Sequence, residues 1–338
     1  MASFSQFGND LHTGKRSFNI VGRAKTWYLI AAAMILIALV GPQLRGGFVF
    51  GIEFTGGSEF VVSDVKFQDQ DPAAEAVGSV DPAAVPKIST VSTTGIRVQT
   101  DQLEPAESRE VRAALAEAYQ VPETQVTSSF IGPSWGADIT GQALRGLLVF
   151  LALASIVMAL YFRTWKMAIA AMVALVHDLI LTAGLYGLAG FEITPAAVIG
   201  FLTILGYSLY DTVVVFDKIR ENTTEDGPES RRTFADSVNL AVNQTLVRSI
   251  NTSVVAMLPV ASILFIGAFA LGAGTLRDIA LALFIGILVG TYSTIFLAAP
   301  FYAQLRTMEP GIRKRDKKAL ALRAKAGTVA QPSEDVTV

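Results

Sequence analysis

The sequence contains no cysteine and only two histidines, His12 and His177, among its 338 residues. Without cysteine the chain has no disulfide bond, no thiolate ligand for a metal ion and no cysteine nucleophile. Two histidines so far apart in the sequence do not indicate a histidine metal site, so we expect no bound metal and no other cofactor. Charged residues are also scarce, at 17% of the chain, while hydrophobic residues make up 51%. This balance is typical of an integral membrane protein.

Nucleotide-binding and hydrolytic motifs are missing as well. The sequence has no P-loop, no zinc motif and no hydrolase triad, and no predicted helix follows the Gly56-Gly57 pair as a dinucleotide fingerprint would require. We therefore expect a protein that is not an enzyme and has no nucleic-acid partner. If it moves a substrate, the energy comes from a partner or from an ion gradient, since each charge that crosses a polarised membrane supplies about 2.3 kcal/mol per 100 mV.

Six apolar segments are long enough to cross a bilayer. They lie at residues 27–44, 142–162, 167–189, 195–216, 249–271 and 279–303. The first begins with Trp27 and Tyr28, which are typical membrane-interface anchors. The basic lead before it and the absence of an A-x-A motif after it favour an uncleaved signal anchor over a cleaved signal peptide. The sequence therefore predicts an α-helical polytopic membrane protein with six transmembrane helices.

The distribution of lysine and arginine predicts the orientation of these helices. Basic residues are concentrated in four segments, residues 1–26, 163–166, 217–248 and 304–338. Because basic loops remain in the cytoplasm, we predict cytoplasmic termini, a cytoplasmic loop at 217–248 within the membrane part 142–303, and an extracytoplasmic segment at 45–141. We expect the basic tail 304–338 to be partly disordered, from about Ala326 onward.

Residues 45–141 form the only sizeable polar segment. Runs rich in Val, Ile and Thr predict strands at Ser58–Val65, Lys87–Val91, Ile96–Thr100 and Gln125–Ile131. Helical periodicity predicts helices at Pro72–Ser79 and Glu104–Tyr119. The order βαββαβ is that of a small α+β domain with split-βαβ, ferredoxin-like topology, inserted between the first and second transmembrane helices. A fold of this kind does not by itself indicate a function.

Three features concern the packing of the remaining helices. Residues Glu225–Pro228 are predicted to form a turn, followed by an amphipathic surface helix that leads into the fifth span. Pro259 is expected to interrupt that span and to act as a flexing point or a tolerated kink. Gly286 and Gly290 form a Gly-x-x-x-Gly pattern in the last span, which allows helix backbones to approach closely.

An ionisable residue, Asp211, lies inside the fourth apolar span, near its predicted inner end. A carboxylate in hydrocarbon is costly, so such residues usually face the bundle interior, a partner or a water-filled path. Thr203 and Tyr207 precede Asp211 at steps of four and are predicted to share its helix face. Arg248 begins the next span from the same side of the membrane, so we expect it to lie at a similar depth.

Two interpretations of Asp211 and Arg248 remain open. In the first, burial and the nearby cation act on the carboxylate in opposite directions, a balance that suits a group that binds and releases protons. In the second, the two side chains form a structural ion pair that holds two helices together.

Asp178 and His177 lie within the third span. Asp178 is roughly 16 Å along the helix axis, near the membrane midplane. Either residue is a candidate for a proton relay, and either is also consistent with a hydrogen-bonded interior position. Because neighbouring residues diverge around a helix, we expect His177 to point to a different face from Asp178. At the outer end of the last span, Arg277 and Asp278 predict an ordinary interfacial ion pair.

The sequence resembles the SecF family of bacterial protein-export subunits, which belongs with the RND-type transporters. The resemblance is carried by GIEFTGG at 51–57, IGPSWGADI at 131–139, HDL at 177–179, GYSLYDTVVVFDKIREN at 206–222, NQTLVRSINTS at 243–253 and RDIALALFIGILVGTYSTIFLAAP at 277–300. These motifs occur in this order and span most of residues 20–305. The family-motif positions include Gly51, Gly56, Gly57, Gly132 and Pro133.

The resemblance implies a half RND-type unit in the bacterial inner membrane that assists Sec-dependent export. It implies SecD as an obligate partner, the SecYEG channel and YajC as further partners, and unfolded exported chains as clients. It assigns Asp211 as the proton-responsive carboxylate and Arg248 as its basic partner, with a proton gradient assisting the late, ATP-independent movement of exported chains. Tyr210 is a departure, because the family often has asparagine there.

Two functions from other classes are the alternatives. An RND-like proton-coupled exporter of lipids or small molecules would also need intramembrane carboxylates, but it should carry a second set of six spans. A scaffold that only anchors the polar domain would need neither Asp211 nor Arg248, and it should tolerate neutralisation of both.

Overall fold

The computed structural model describes residues 4–90, 94–227, 230–267 and 274–329. Within these ranges six helices are long and apolar enough to cross a membrane. They are Val21–Leu44, Trp135–Phe162, Trp165–Ala189, Pro195–Glu225, Phe234–Ile266 and Leu276–Thr307. The six predicted transmembrane helices are therefore confirmed in number and order.

The described helices and strands follow one another in the order that the sequence predicts, with all four strands between the first and second membrane-spanning helices. The helices are α1 (Phe4–His12), α2 (Ala24–Leu44), α3 (Ile52–Thr55), α4 (Asp71–Val80), α5 (Pro105–Ala118), α6 (Pro133–Phe162), α7 (Trp165–Ala189), α8 (Pro195–Glu225), α9 (Phe234–Ser262), α10 (Gly274–Ser293), α11 (Ala299–Thr307) and α12 (Pro310–Val329). The strands are β1 (Gly57–Val62), β2 (Lys87–Thr90), β3 (Ile96–Thr100) and β4 (Val126–Ile131). One π-helical turn, Ile263–Gly267, extends α9, and another, Thr294–Ala298, joins α10 to α11 as one span.

The four strands form one antiparallel sheet in the order β2-β3-β1-β4. Val62 of β1 pairs with Ile96 of β3 and with Val126 of β4. Since β3 also pairs antiparallel with β2, β1 and β2 run parallel with β3 between them, as the predicted split-βαβ topology requires. Helices α4 and α5 pack on this sheet around a core in which Phe60 and Leu115 are fully buried.

Helices α8 and α9 extend far beyond the apolar runs predicted for them. Helix α8 continues to Glu225, and α9 begins at a capping box formed by Thr233 and Asp236. The predicted amphipathic helix and the fifth span are thus one continuous helix, and the predicted loop 217–248 is largely helical. The predicted end of the intervening turn, Pro228, lies outside the described residues. A hydropathy pattern predicts the apolar part of a helix that crosses the bilayer, but it does not detect polar extensions of the same helix beyond the bilayer.

Two further expectations about helix ends are corrected. Helix α6 begins at Pro133 with Gly132 as its N-cap, so residues 133–141, which we assigned to the polar domain, form its first turns. Pro259 does not interrupt α9, which continues to Ser262 and then into its π-helical turn. A proline is tolerated within a membrane helix when local adjustment satisfies the backbone groups that it frees.

The C-terminal tail is helical where it is described. Helix α12 runs to Val329, so the residues from Ala326 to Val329, which we expected to be disordered, are its last turn. The rest of the tail lies outside the described residues, as does Val91, the predicted end of β2.

Helix α8 lies centrally in the bundle and packs on α10 through small residues. Gly286 of α10 faces Ile204 of α8 so closely that a Cβ atom at this glycine would overlap the isoleucine side chain. One turn further along, Gly290 lies against Ser208. The Gly-x-x-x-Gly pattern therefore sets the close approach of these two helices.

The variant Gly286→Ala should lower the thermal stability of the membrane part. Because its Cβ atom would overlap Ile204 in a close-packed interface, we expect a loss of about 1–3 kcal/mol, typical of an overpacked core. Thermal unfolding in detergent measures this change. Gly146→Ala on α6, where a Cβ atom meets no neighbour, is the matched control. Equal stability of the two variants would show that the α8–α10 contact does not depend on this glycine.

Candidate functional site

Asp211 lies on α8 inside the bundle and is only 5% exposed. Its Oδ1 atom accepts a hydrogen bond of 2.8 Å from the Ser249 hydroxyl on α9. Its Oδ2 atom is buried and has no hydrogen-bond partner among the described residues. A buried carboxyl group with one hydroxyl donor and one unoccupied oxygen has room for a proton on that oxygen.

Arg248 does not form the predicted ion pair with Asp211 among the described residues. Its side chain is exposed on the outer surface of α9, and the adjacent Ser249 takes the position next to the carboxylate. Residues one apart on a helix point in different directions, so only one of the two can face α8. Asp211 therefore contacts Ser249 of α9 directly, while Arg248 acts on it only by electrostatic attraction over a distance longer than an ion pair.

Thr203 and Tyr207 contact other groups than Asp211. The Thr203 hydroxyl is exposed and donates to the Ile199 carbonyl of its own helix at 2.7 Å. The Tyr207 hydroxyl donates to the Ser253 hydroxyl at 3.3 Å, which in turn lies 2.5 Å from the Thr291 hydroxyl. A row of hydroxyl groups therefore joins α8, α9 and α10 beside Asp211.

Asp178 is completely buried on α7 and accepts a hydrogen bond of 2.5 Å from the Ser208 hydroxyl of α8. The ring of His177 stacks near Tyr292, with 6.1 Å between ring centroids. His177 Nδ1 also lies 3.5 Å from Asp178 Oδ1, so the two side chains touch although they face different neighbours, Tyr292 and Ser208. The flexible χ angles of the two side chains bring together groups whose Cα–Cβ bonds diverge.

Sequence reasoning missed the serine and threonine partners of the buried acids. Ser208 and Asp211 lie about one turn apart on α8, where Ser208 contacts Asp178 of α7 and Asp211 contacts Ser249 of α9. The available signal was the spacing of four between Ser249 and Ser253, which places both hydroxyl groups on one face of α9. Hydroxyl groups are common in membrane helices, and this spacing alone is therefore weak.

The predicted pair of Arg277 and Asp278 is present, with 3.3 Å between Arg277 Nη2 and Asp278 Oδ1. Asp278 also accepts a hydrogen bond of 2.9 Å from Thr194, the N-cap residue of α8. The hydroxyl of Tyr186 donates to the Asp278 carbonyl at 3.0 Å. These contacts fix the start of α8 against α10 and α7 at the bundle end nearest the α+β domain.

The glycines of the family motifs lie where the α+β domain joins the bundle. The Gly51 amide donates to the Ile193 carbonyl at 3.0 Å, which ties the chain entering the domain to the α7–α8 connection. Gly57 has φ of +131°, and a Cβ atom there would overlap the Thr100 carbonyl of β3. Such a conformation is open only to glycine.

The other family-motif positions lie at the same junction between the α+β domain and the bundle. Gly56 has φ of +74° and ends α3, while Gly132 and Pro133 begin α6. A Cβ atom at Gly136 would overlap the Phe54 backbone of α3. Two separate motifs therefore meet at this junction, and the need for close backbone approach explains their glycines.

A cluster of polar side chains, which we call the junction cluster, connects the domain to the bundle. It consists of Glu53, Glu59, Arg97, Gln99 and Glu192. Arg97 Nη1 lies 2.6 Å from Glu192 Oε2, and Gln99 Nε2 donates to Glu192 Oε1 at 2.6 Å. Glu59 Oε2 accepts from Gln99 at 3.0 Å and lies 3.5 Å from Arg97 Nε. Glu192 precedes α8 by three residues, so the cluster holds the domain directly to the helix that carries Asp211.

Burial raises the pKa of Glu53 above its ordinary value, and the nearby carboxylates of Glu59 and Glu192 raise it further. The docked junction therefore binds a proton at Glu53 more tightly than the undocked one. By linkage, the α+β domain is held to the bundle most strongly at acid pH. This association weakens as the pH rises from the ordinary glutamate pKa through the raised pKa of Glu53.

Hydrogen exchange of residues 51–57 should therefore become faster, relative to the intrinsic rate, as the pH rises above the ordinary glutamate pKa of about 4.3 and through the raised pKa of Glu53. The variant Glu53→Gln should remove this pH dependence, because glutamine stays neutral. Glu123→Gln, on the exposed connection before β4, is the control and should keep it. A pH dependence that persists unchanged in Glu53→Gln would assign the effect to another group.

Comparison with known proteins matches this chain to one family. Residues 110–308 match the family "Protein export membrane protein SecD/SecF, C-terminal". The Streptomyces coelicolor protein translocase subunit SecF is 42% identical over 338 residues, covering 99% of this chain and 89% of that protein. The Mycobacterium tuberculosis SecF is 39% identical over 327 residues, covering 94% and 73%.

Solved structures of SecDF also match. The crystal structure of SecDF, a translocon-associated membrane protein from Thermus thermophilus, superposes with a TM-score of 0.74 at 30% identity. The match covers 86% of this chain and 39% of that one, so this chain spans about two fifths of the SecDF chain. The family match, the identity to SecF subunits over 89% and 73% of their lengths and the shared architecture lead to one assignment. The chain belongs to the SecF family, the multi-pass membrane subunits of the Sec protein translocase.

Proposed function

We propose that this SecF subunit couples proton movement to the late, ATP-independent stage of Sec export, with Asp211 as the proton-binding group. The observation that supports this most strongly is the burial of Asp211, whose Oδ2 atom has no partner in the described part of the chain and which lies beside a row of hydroxyl groups. A purely structural carboxylate in a membrane would be expected to have both oxygens satisfied.

The orientation that we propose follows from the basic residues. Residues 1–26, the α8–α9 connection and the tail would be cytoplasmic, and the α+β domain would be extracytoplasmic, in the inner membrane of a bacterium. The proton gradient would then act across the bundle, between the junction cluster on one side and the α8–α9 connection on the other.

SecD is the partner that we propose for the exposed face of α8 and α9. The Thermus thermophilus relative is a single SecDF chain, and this chain is 34% identical to 38% of it. Tyr210 and Arg248 are exposed on this face at the level of Asp211. A second six-helix half would cover these groups, which are unfavourable against lipid. SecYEG, YajC and unfolded exported chains complete the proposed assembly.

The coupling that we propose runs along α8. Ionised Asp211 accepts a hydrogen bond from Ser249 and attracts the positive charge of Arg248. Protonation on Oδ2 removes that attraction and lets α9 shift relative to α8 and the SecD half. Helix α8 begins three residues after Glu192, so a displacement of this helix is transmitted to Arg97 and the α+β domain. Such a switch needs a two-state element that a local charge change biases.

The experiment that tests this function is the release of a precursor protein from inner-membrane vesicles that contain this subunit and SecD, with and without a proton gradient. We expect the gradient to accelerate release. Acceleration of small-molecule or lipid efflux without any effect on the precursor would favour the exporter alternative. No effect of the gradient on either would favour a scaffold.

A further inference from the structure

We propose that a groove on the bundle surface between α2, α7 and α11 binds an anionic phospholipid. The groove, here called the lipid groove, consists of an apolar cleft of about 660 Å³ and a polar mouth of about 460 Å³. Tyr28 and Gln304 line both cavities, so the two form one continuous site. The proposal requires only that α2 and α7 lie in a bilayer, and it stands whether or not Asp211 binds protons.

The cleft has the character of a site for an acyl chain. It lies along the spans of α2 and α7 and is lined mainly by apolar side chains, among them Ile35, Met172 and Val176. A group of the size of a water molecule occupies about 30 Å³, so the cleft has room for roughly twenty such groups. One fatty acyl chain contains a similar number of methylene groups. His177 and Ile180 of α7 also line it.

The mouth has the character of a site for a phosphate group. Arg23 and Lys25 line it, both are exposed, and neither has an ion-pair partner among the described residues. They stand at the N-terminus of α2, where the positive end of the helix dipole favours an anion. Thr26 and Thr307 also line the mouth and add hydroxyl groups.

Acidic groups do not compete for these cations. The carboxylates nearest to the mouth in sequence are Asp236, which lies 2.6 Å from Arg323, and Glu309, which is paired at 2.8 Å with both Lys166 and Arg306. The mouth therefore carries net positive charge, which selects an anionic headgroup over a zwitterionic one.

An unsatisfied hydroxyl group lies between the two parts of the groove. The Tyr28 hydroxyl oxygen is buried and has no hydrogen-bond partner among the described residues. A buried hydroxyl without a partner is destabilising, so this position favours a ligand with an acceptor oxygen. The glycerol ester group of a phospholipid places such an oxygen between the phosphate and the acyl chain.

The test is native mass spectrometry of the purified subunit with SecD, titrated with phosphatidylglycerol or with phosphatidylcholine of the same acyl chains. We expect phosphatidylglycerol to bind more tightly by about tenfold or more, given the contribution of two basic residues near a membrane surface. The double variant Arg23→Gln/Lys25→Gln should lose this preference. Lys314→Gln/Lys317→Gln, which removes the same charge from α12, should keep it.

A second pair of variants tests the cleft without changing charge. Ala32→Trp places a large side chain in the cleft and should weaken binding of both lipids, whereas Ala33→Trp, one position away and outside the cleft, should not. Equal binding of the two lipids by the wild type would overturn the proposal. So would equal retention of phosphatidylglycerol by Ala32→Trp and Ala33→Trp.

Discussion

Asp211→Asn should abolish the acceleration of precursor release by a proton gradient and leave the gradient-independent rate unchanged. Asparagine retains the shape of the side chain and an oxygen that accepts from Ser249, so the contact between α8 and α9 persists. It cannot exchange a proton, so the charge change that biases the switch is lost. The measurement is the rate of release in vesicles that contain SecD, with the gradient imposed and then collapsed.

Two other variants separate proton binding from packing. Asp217→Asn removes a carboxylate from the exposed end of the same helix and should retain the full response to the gradient. Ser249→Ala removes the hydroxyl donor but leaves the titrating group, so it should shift the response to a different pH without abolishing it. An Asp211→Asn protein that responds like the wild type would falsify the proton role and leave Asp211 as a structural residue.

Arg97→Glu should release the α+β domain from the bundle and uncouple it from the gradient. The change removes the cation of the junction cluster and brings a fourth carboxylate next to Glu53, Glu59 and Glu192. Breaking a fully buried ion pair costs about 3–5 kcal/mol, and this partly buried pair should cost less. We expect hydrogen exchange in β3 and in residues 48–57 to become faster, and gradient-driven release to fall to the level of Asp211→Asn.

A charge exchange provides the specific test of this contact. The double variant Arg97→Glu/Glu192→Arg restores one cation between the carboxylates and should recover part of the loss, which a double-mutant cycle quantifies. Arg109→Glu, on the exposed surface of α5, is the control for added negative charge in the domain. Loss of export activity without any change in exchange at the junction would place Arg97 in contact with a partner instead.

The sequence predicts those features that depend on periodicity and length. The strand Ile96–Thr100 was predicted with its observed bounds because alternating β-branched residues over a short run are characteristic of a strand. The six spans were predicted in number because a bilayer requires a nearly fixed length of apolar helix. These are local properties of the chain, which explains why they can be predicted without a structure.

Contacts that depend on docking were not predictable. Arg97 and Glu192 are 95 residues apart in the sequence, and their pairing depends on how the domain lies on the bundle. The choice between Arg248 and Ser249 as the neighbour of Asp211 depends on a rotation of α9 that its capping box and its packing determine together. Because Ser249 and not Arg248 faces Asp211, the direct contact is a hydrogen bond and not the predicted ion pair.

The exposed polar residues of α8 and α9 have a consequence for the stability of the unassembled chain in the cell. Thr203, Tyr210 and Arg248 are exposed there and would meet hydrocarbon whenever the subunit is made without SecD. In the assembly that we propose, SecD would cover these groups, so we expect an unassembled chain to be degraded faster than the assembled subunit. We therefore expect the abundance of this subunit to depend on the abundance of the proposed partner.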